Sequence, residues 1–246
     1  MAAAPIALTV DEQPDRLVVT LDRPAQRNAI GAAMIGELHE VCARLERAPK
    51  LLLLTGAGGD FAAGADIAEL RARGRDDALA GINRNLFDRI AALPMPTVAA
   101  IDGYALGGGA ELAYACDMRI ATSRAVFGNP EPGLGIIAAA GASYRLPGLV
   151  GMSIARQVLL GGRLLDAGAA STCGLVMEVV EPGDLLAAAH RVLDRIGRSS
   201  PLALRLTKAV LDAPGAHPLS DDLAQAVLFE GADKHDRMTR FLEKTT

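Results

Sequence analysis

Short, wholly apolar segments alternate with helical patterns along the first two-thirds of the chain. Segments 51–55 and 97–101 carry no charged residue, as expected of strands covered on both faces of a sheet. Segments 6–10 and 16–21 are rich in β-forming residues, and the polar stretch 11–15 between them contains a proline. This pattern predicts a hairpin near the start of the chain.

Helical spacing of apolar residues marks the segments between and after these strands. Four apolar residues recur at helical spacing within 30–46, and Pro49 follows, which predicts an amphipathic helix that ends before the proline. The stretch 69–89 is polar, with mixed charges and two glycines. We interpret it as helix and mobile loop.

The last third is predicted to be mainly helical, with one strand at 176–180. The helical segments are 184–197, 201–212, 219–230 and 234–243. We therefore expect residues 1–190 to form a core that carries the active site, followed by a C-terminal helical region, 191–246. Several apolar positions of that region would expose a large patch in a monomer. These are Val210, Leu211, Leu219, Leu223, Val227, Leu228 and Phe229.

Composition and charge exclude several classes of protein. Half of the residues are apolar and only 3% are aromatic, so the core must be built from Ala, Leu, Val and Ile. A net charge of −4 argues against a nucleic-acid surface. Cys42, Cys116 and Cys173 lie far apart and do not suggest a disulfide framework. Without a secretory signal pattern or a long apolar stretch, we expect a cytoplasmic protein without a membrane span.

The common sequence motifs for cofactor binding and for catalytic nucleophiles are incomplete or absent in this chain. The segment 55–61 follows a predicted strand, but Phe61 occupies the position of the third glycine of a dinucleotide fingerprint. Neither a phosphate-binding loop nor a nucleophile elbow occurs, and the four histidines lack metal-ligand spacing. We therefore expect no metal and no separate cofactor.

Two glycine-rich segments each follow a predicted strand and each end on a carboxylate. They read Phe61-Ala-Ala-Gly-Ala-Asp66 and Leu106-Gly-Gly-Gly-Ala-Glu111. The second opens a helix, whose first turn leaves backbone N–H groups free and favours negative charge. Two such groups from separate segments could form an oxyanion hole. The alternative is that such a run serves only as a tight turn or a close helix–strand contact.

Glu111 and Glu131 are the candidate catalytic carboxylates. Glu111 lies in an apolar helical stretch, which favours burial and a raised pKa suited to proton transfer. Glu131 lies between two prolines that fix the backbone. The alternative for Glu131 is an ordinary exposed turn residue.

The sequence as a whole resembles the crotonase superfamily, the enoyl-CoA hydratases and isomerases. The resemblance covers nearly the whole chain, and its motifs occur in order and at family spacing. They are Leu21-Asp-Arg-Pro, Leu54-Thr-Gly-Ala-Gly, Phe61-Ala-Ala-Gly-Ala-Asp-Ile, Gly103-Tyr-Ala-Leu-Gly-Gly-Gly-Ala-Glu-Leu, Cys116-Asp, Phe127-Gly-Asn-Pro-Glu, 167–175 and Arg237-Met-Thr-Arg-Phe-Leu-Glu.

The resemblance implies an α/β crotonase fold, a spiral of strand–strand–helix units followed by C-terminal helices that contact neighbouring subunits. It implies a homotrimer or a dimer of trimers, and an acyl-CoA thioester as the partner. The family's oxyanion-hole amides match those of Ala65 and Gly108, and its two glutamates match Glu111 and Glu131. The implied substrate and coenzyme A contacts fall on Arg27, Ala63, Ala65, Asp66, Ile67, Ala68 and Gly108.

The implied reaction is hydration of a 2-enoyl-CoA, with Glu111 as the partner of water and Glu131 nearer to C2. An isomerase, which needs only one carboxylate, and a non-catalytic acyl-CoA-binding relative are the alternatives. One departure affects the pocket wall. Hydratases of this kind usually show Pro-Gly-x-Gly-Gly-Thr after the second glutamate, whereas this chain has Ala138-Ala-Ala-Gly-Ala-Ser-Tyr-Arg145.

Overall fold

Strands and helices follow one another along residues 7–243, the part of the chain that the computed structural model describes. The strands β1 to β9 span Leu8–Glu12, Arg16–Leu21, Leu51–Gly56, Thr97–Ile101, Tyr104–Leu106, Met118–Thr122, Val126–Gly128, Leu165–Asp166 and Glu178–Val180. The helices α1 to α11 span Ala32–Arg47, Ile67–Ala72, Arg75–Ala80, Ile82–Ala91, Gly108–Ala115, Ala142–Leu159, Ala167–Thr172, Leu185–Gly197, Pro201–Leu211, Leu219–Phe229 and Ala232–Glu243.

The strands form two sheets, and from β4 to β9 the chain passes back and forth between them. The larger sheet has the order β1-β2-β3-β4-β6-β9, in which only the β1–β2 pair is antiparallel. The smaller sheet has the order β5-β7-β8. Strand β4 joins the larger sheet, β5 the smaller, and helix α5 follows; β6, β7 and α6 repeat this sequence. The repetition confirms the predicted spiral of strand–strand–helix units.

Helices cover both faces of the larger sheet, which explains its wholly apolar strands. On β3, Leu52 and Leu54 belong to one buried cluster, whereas Leu51 and Leu53 belong to another on the opposite face. Alternate side chains of a strand point to opposite faces, so a strand covered on both sides needs apolar residues throughout. The predicted segments 51–55 and 97–101 are both confirmed as strands of this kind.

Helix α8 packs on the second of these clusters. Val192 and Leu193, near its middle, are buried against the sheet together with Leu185. The boundary predicted after residue 190 therefore falls inside a helix that belongs to the core. The division of the chain into a core and a C-terminal region stays a prediction.

Local differences from the predicted elements have simple physical causes. The predicted hairpin is present as β1 and β2, with Leu8 opposite Leu21, and Ile6 of the predicted first strand lies outside the described residues. The stretch 69–89, expected to be helix and mobile loop, is occupied by α2, α3 and α4. Helices α2 and α3 bury no residue, so they lack the apolar stripe by which helices are recognised.

The last two helices leave much of their apolar surface uncovered within one chain. Helices α10 and α11 contain no buried residue. Several large apolar side chains on them are more than half exposed, including Leu219, Leu223, Val227 and Met238. This surface is what the predicted contact with neighbouring subunits would cover, and the trimeric assembly stays a prediction.

Candidate active site

Gly109 brings the first turn of α5 against the segment that follows β3. A Cβ atom at Gly109 would lie 2.1 Å from the carbonyl oxygen of Ala62, far closer than side chains pack. Gly107, just before the helix, has a φ angle of 51°, which glycine adopts without strain. The glycines predicted to mark a close approach therefore do so, and the two glycine-rich segments meet.

The backbone amides of Ala65 and Gly108 are neighbours, and neither donates to an acceptor in the described part of the chain. A Cβ atom on Gly108 would lie 3.5 Å from the nitrogen of Ala65. Gly108 is the first residue of α5, so its N–H has no partner within the helix. Within residues 7–243 no hydrogen bond uses the N–H of Ala65, because the pairing with Ile30 is made by the adjacent groups of Gly64 and Asp66. Two free donors side by side are what an oxyanion hole requires, and the oxyanion hole predicted at Ala65 and Gly108 stays a prediction.

Glu111 is held in a buried, partly polar environment. It faces away from solvent in the second half of the first turn of α5 and is only 3% exposed. Its Oε1 accepts hydrogen bonds from the backbone N–H of Ala140, at 2.8 Å, and of Ala142, at 3.1 Å. Its Oε2 accepts no hydrogen bond from the described residues, which leaves that oxygen available to a ligand or to water.

Glu131 is also buried, and one of its oxygens has no partner. The side chain begins a short 3₁₀ turn, Glu131–Leu134, and is 8% exposed rather than lying on an open turn. Oε1 is 3.4 Å from Nδ2 of Asn129, whereas Oε2 is buried without a hydrogen-bond partner in the described residues. The missing side chain of Gly107 leaves room for this carboxylate, since a Cβ there would lie 3.2 Å from Oε1.

Both carboxyl groups resist ionisation. Burial raises the pKa of Glu111 to about 7, helped by the negative charge of Glu131 and opposed by the two backbone N–H groups and by Arg145. Burial also raises the pKa of Glu131, and Asn129 opposes that change. Two acids whose pKa values are moved toward neutrality can exchange protons with a substrate at physiological pH.

One cavity of about 550 Å³ brings these groups together. Ala65, Gly108, Glu111 and Glu131 all line it. Its other walls come from helices α2 to α4 and from the loop before α6, and they combine apolar residues with the polar or charged Arg73, Arg75, Asp77, Asn83 and Arg84. The residues that supply those walls include Leu70, Ala78, Ile82, Ile136, Ile137 and Ala139. A second, smaller void of about 360 Å³, beside Lys208, contains none of these carboxylates.

The other five predicted coenzyme A contacts are not among the residues that line this cavity. Asp66 caps helix α2 by accepting from the N–H groups of Ala68 and Glu69, and it pairs with Arg23 at 3.3 Å. Ile67 and Ala68 are exposed on the first turn of that helix. The backbone of α2 thus begins beside Ala65, at the surface. The roles predicted for these residues stay predictions.

Arg27 and Ala63 lie next to each other on the same surface. The N–H of Ala63 donates to the carbonyl of Arg27 at 2.9 Å. The Arg27 side chain is 66% exposed, with Nε 3.9 Å from an oxygen of Asp60 and its guanidinium over the ring of Tyr104. An exposed cation so weakly paired is available to an anionic group, and its contact with coenzyme A stays a prediction.

Several residues of the site have no sequence signal strong enough to select them. Asn129 contacts Glu131 and accepts a hydrogen bond from the hydroxyl of the buried Tyr114. Ala140 and Ala142 act through their backbone N–H groups. The departure from the usual glycine pattern at 138–142 therefore does not remove the support of Glu111.

The candidate chemistry of the cavity rests on two carboxylates and two backbone amides. No group of three or more candidate metal ligands occurs within residues 7–243. In the same part of the chain, no helix is both long and apolar enough to cross a membrane.

Comparison with known proteins relates this geometry to a family. The sequence model described as enoyl-CoA hydratase/isomerase matches residues 14–246. The chain is 37% identical to the short-chain-enoyl-CoA hydratase of Clostridium acetobutylicum, over 92% of this chain and 91% of that protein. It is 36% identical to the crotonyl-CoA hydratase of Syntrophomonas wolfei, over 96% and 95%.

Solved structures agree with the sequence relatives. The crystal structure of an enoyl-CoA hydratase from Bacillus anthracis superposes with a TM-score of 0.91 at 32% identity, and the match covers 97% of this chain and 96% of that one. The predicted fold and the predicted resemblance are therefore both confirmed. The chain belongs to the enoyl-CoA hydratase/isomerase family.

Proposed function

We propose that this chain is an enoyl-CoA hydratase, which adds water across the 2,3 double bond of a 2-enoyl-CoA thioester to give a 3-hydroxyacyl-CoA. The observation that carries the proposal is the pair of buried carboxylates, Glu111 and Glu131, facing one cavity beside two free backbone N–H groups. An isomerase needs only one carboxylate for its proton transfer. Hydration uses two carboxyl groups, one to accept a proton from the water and one to donate a proton to C2.

The two amides would stabilise the charge that develops during addition. With the thioester carbonyl oxygen between the N–H groups of Ala65 and Gly108, attack at C3 moves electron density onto that oxygen. Hydrogen bonds that strengthen as the oxygen becomes negative lower the barrier. The position of Gly108 at the start of α5 adds the positive end of the helix dipole.

The two carboxyl groups would divide the proton transfers. Ionised Glu111 takes a proton from water through the oxygen that accepts no protein hydrogen bond, while the water oxygen bonds to C3. Protonated Glu131 gives its proton to C2 through its unpartnered oxygen. The hydroxyl of the water is then on C3 and its other proton is on Glu111, while C2 has received the proton of Glu131. The starting state returns when the proton on Glu111 passes to Glu131. The negative charge of Glu131 raises the pKa of Glu111, and a proton in such a coupled pair belongs to the pair rather than to one carboxylate, so it can pass between the two.

The acyl group would be short or of moderate length, and the enzyme would need no cofactor beyond the coenzyme A of its substrate. The apolar part of the cavity wall, which includes Leu70, Ile82 and Ile137, suits a hydrocarbon chain. Two relatives are a short-chain-enoyl-CoA hydratase and a crotonyl-CoA hydratase, which supports this substrate class.

A panel of 2-enoyl-CoA and 3-enoyl-CoA thioesters tests the proposal. Loss of the conjugated-enoyl absorbance with crotonyl-CoA, together with formation of 3-hydroxybutyryl-CoA, is the expected result. A gain of that absorbance with 3-enoyl-CoA and no hydration would identify an isomerase. Binding of the thioesters without turnover would identify a non-catalytic acyl-CoA-binding protein.

A further inference from the structure

Arg145, Tyr144 and Asp88 form a compact polar cluster behind the cavity. The same oxygen of Asp88, Oδ1, accepts from the hydroxyl of Tyr144 and from Nη2 of Arg145, both at 2.6 Å. The Arg145 guanidinium also lies 4.8 Å from the centre of the Tyr144 ring. Its side chain is only 14% exposed. The guanidinium is therefore held from two sides, in one orientation.

The Nη1 end of this guanidinium donates to the hydroxyl of Tyr144 at 3.1 Å and also lies against the loop that precedes α6. Nη1 of Arg145 is 3.4 Å from the carbonyl oxygen of Ala140. A Cβ atom at Gly141 would lie 2.0 Å from the same nitrogen, so the backbone of this loop is in direct contact with the cation. Gly141 has a φ of 137°, and its carbonyl accepts from the N–H of Arg145 at 2.8 Å. The side chain and the backbone of Arg145 therefore both contact residues 140–141 of this loop.

The other side of that loop holds Glu111. The N–H groups of Ala140 and Ala142, which flank Gly141, both reach Oε1 of Glu111. We propose that Arg145 is a positioning residue for Glu111: it holds residues 140–142 so that these two N–H groups bind Oε1 and leave Oε2 directed to the reacting water. Asp88 and Tyr144 fix the guanidinium in that role.

The cluster of Arg145, Tyr144 and Asp88 links Glu111 to the opposite wall of the cavity. Asp88 lies on α4, the helix whose first residues, Ile82 and Asn83, line the cavity. The cluster therefore joins the wall formed by α4 to the loop that orients Glu111. This role rests on the proposed hydratase function, since it concerns the group that accepts the proton of water.

The charges that face Glu111 give the cluster a measurable signature. Glu131 on its short turn and Arg145 on α6 act on the pKa of Glu111 in opposite directions, and Tyr114 on α5 carries the nearby buried hydroxyl. Loss of the cation, and of the hydrogen bonds that it supports, raises the pKa of Glu111. The acid limb of kcat/KM, which reports the free enzyme, then moves to higher pH.

Three variants test the proposal in the full-length protein. Arg145→Gln removes the cation, and Tyr144→Phe removes the hydroxyl that donates to Asp88 and accepts from Nη1 of Arg145. Arg156→Gln is the control, because Arg156 is an exposed cation further along α6. Each is assayed with crotonyl-CoA across pH. The carboxyl carbon of Glu111, assigned by its loss in Glu111→Gln, is titrated by ¹³C NMR without substrate.

For Arg145→Gln we expect kcat at neutral pH to fall by at least about 10-fold, part of the usual general-base contribution, with KM changed by less than about 2-fold. The acid limb and the NMR titration should both rise by at least about 0.5 pH unit, roughly a 3-fold change in proton affinity. Tyr144→Phe should raise the acid limb of kcat/KM and the NMR pKa of Glu111 by a smaller amount. Arg156→Gln should change neither of these two values.

An unchanged NMR pKa in a folded Arg145→Gln protein would overturn the proposal, as would an equal shift in Arg156→Gln. If Arg145→Gln does not fold, the Tyr144→Phe titration decides: a rise supports the positioning role and no change refutes it. Failure of the wild-type protein to hydrate crotonyl-CoA would refute the proposed function instead. The NMR titration still measures the support of Glu111 in that case.

Discussion

Replacing Glu111 by Gln should destroy hydration and, at the same time, stabilise the folded protein at alkaline pH. The variant keeps the shape of the side chain, and its amide oxygen can still accept from the N–H groups of Ala140 and Ala142. It can no longer ionise. The carboxylate is buried and only 3% exposed, so the wild-type protein must place a charge in a poorly solvated site whenever Glu111 loses its proton.

The magnitude follows from the pKa of Glu111. It is about 7 in the folded chain, against an ordinary value of 4.5. A group whose folded pKa is raised gives its full stabilisation below the unfolded pKa, and this stabilisation is lost as the pH rises through the folded pKa. Each pKa unit corresponds to about 1.36 kcal/mol. Above pH 7 the ionisation of Glu111 therefore lowers the free energy of unfolding of the wild type by about 3 kcal/mol, and the Gln variant does not have this loss.

Urea unfolding of both proteins at about pH 5 and about pH 8.5, at one protein concentration, measures this effect. The stability of the variant relative to the wild type should increase by about 2–3 kcal/mol between the two pH values, because most of the ionisation of Glu111 lies between them. The hydration rate with crotonyl-CoA should fall by at least about 10²-fold. A relative stability that does not change with pH would refute the raised pKa, and intact hydration would refute the catalytic role.

Four further outcomes are expected. Glu131→Gln should lower kcat by at least about 10²-fold with KM nearly unchanged, and unaltered turnover would remove Glu131 from the mechanism. Gly108→Pro deletes one N–H at a helix position that accepts proline, and should cost about 3 kcal/mol in kcat/KM while the thermal melt stays close to that of the wild type. Arg27→Ala should raise KM for acyl-CoA with little change in kcat, and an unchanged KM at low salt would exclude a phosphate contact. Sedimentation equilibrium at micromolar concentration should give three or six times the chain mass of 25.5 kDa, and a mass near that of one chain would refute the oligomer.

The larger sheet could be predicted because its strands are covered on both faces. Segments 51–55 and 97–101 are wholly apolar for that reason, and short runs of this kind are typical of strands buried in a parallel sheet. The burial of Glu111 could be predicted in the same way, since its neighbours along α5 are apolar and the whole helix is buried. In both cases the environment of a residue is set by residues close to it in the chain.

The parts of the site that could not be predicted depend on distant or backbone groups. Ala140 and Ala142 hold Glu111 by N–H groups that every residue other than proline possesses, so the sequence gives no sign of them. The bond between Arg145 and Asp88 joins positions 57 residues apart. Helices α2 and α3 lie on the surface with no buried side chain, and their charged residues resemble those of a loop.

The contact between Gly109 and the carbonyl of Ala62 fixes the position of the first turn of α5, which carries both the Gly108 amide and Glu111. Gly108 and Glu111 lie on either side of Gly109 on that turn, so neither can move relative to the other without distorting the helix. The smallest possible side chain, a methyl group, would meet the Ala62 oxygen at 2.1 Å, where even a tight contact needs at least 3.0 Å. Relief requires the turn to recede by about 1 Å, a displacement of the size that costs enzymes about 10²-fold in rate. One added carbon atom, in contact with no substrate, would thus misalign the anion-binding amide and the proton acceptor together.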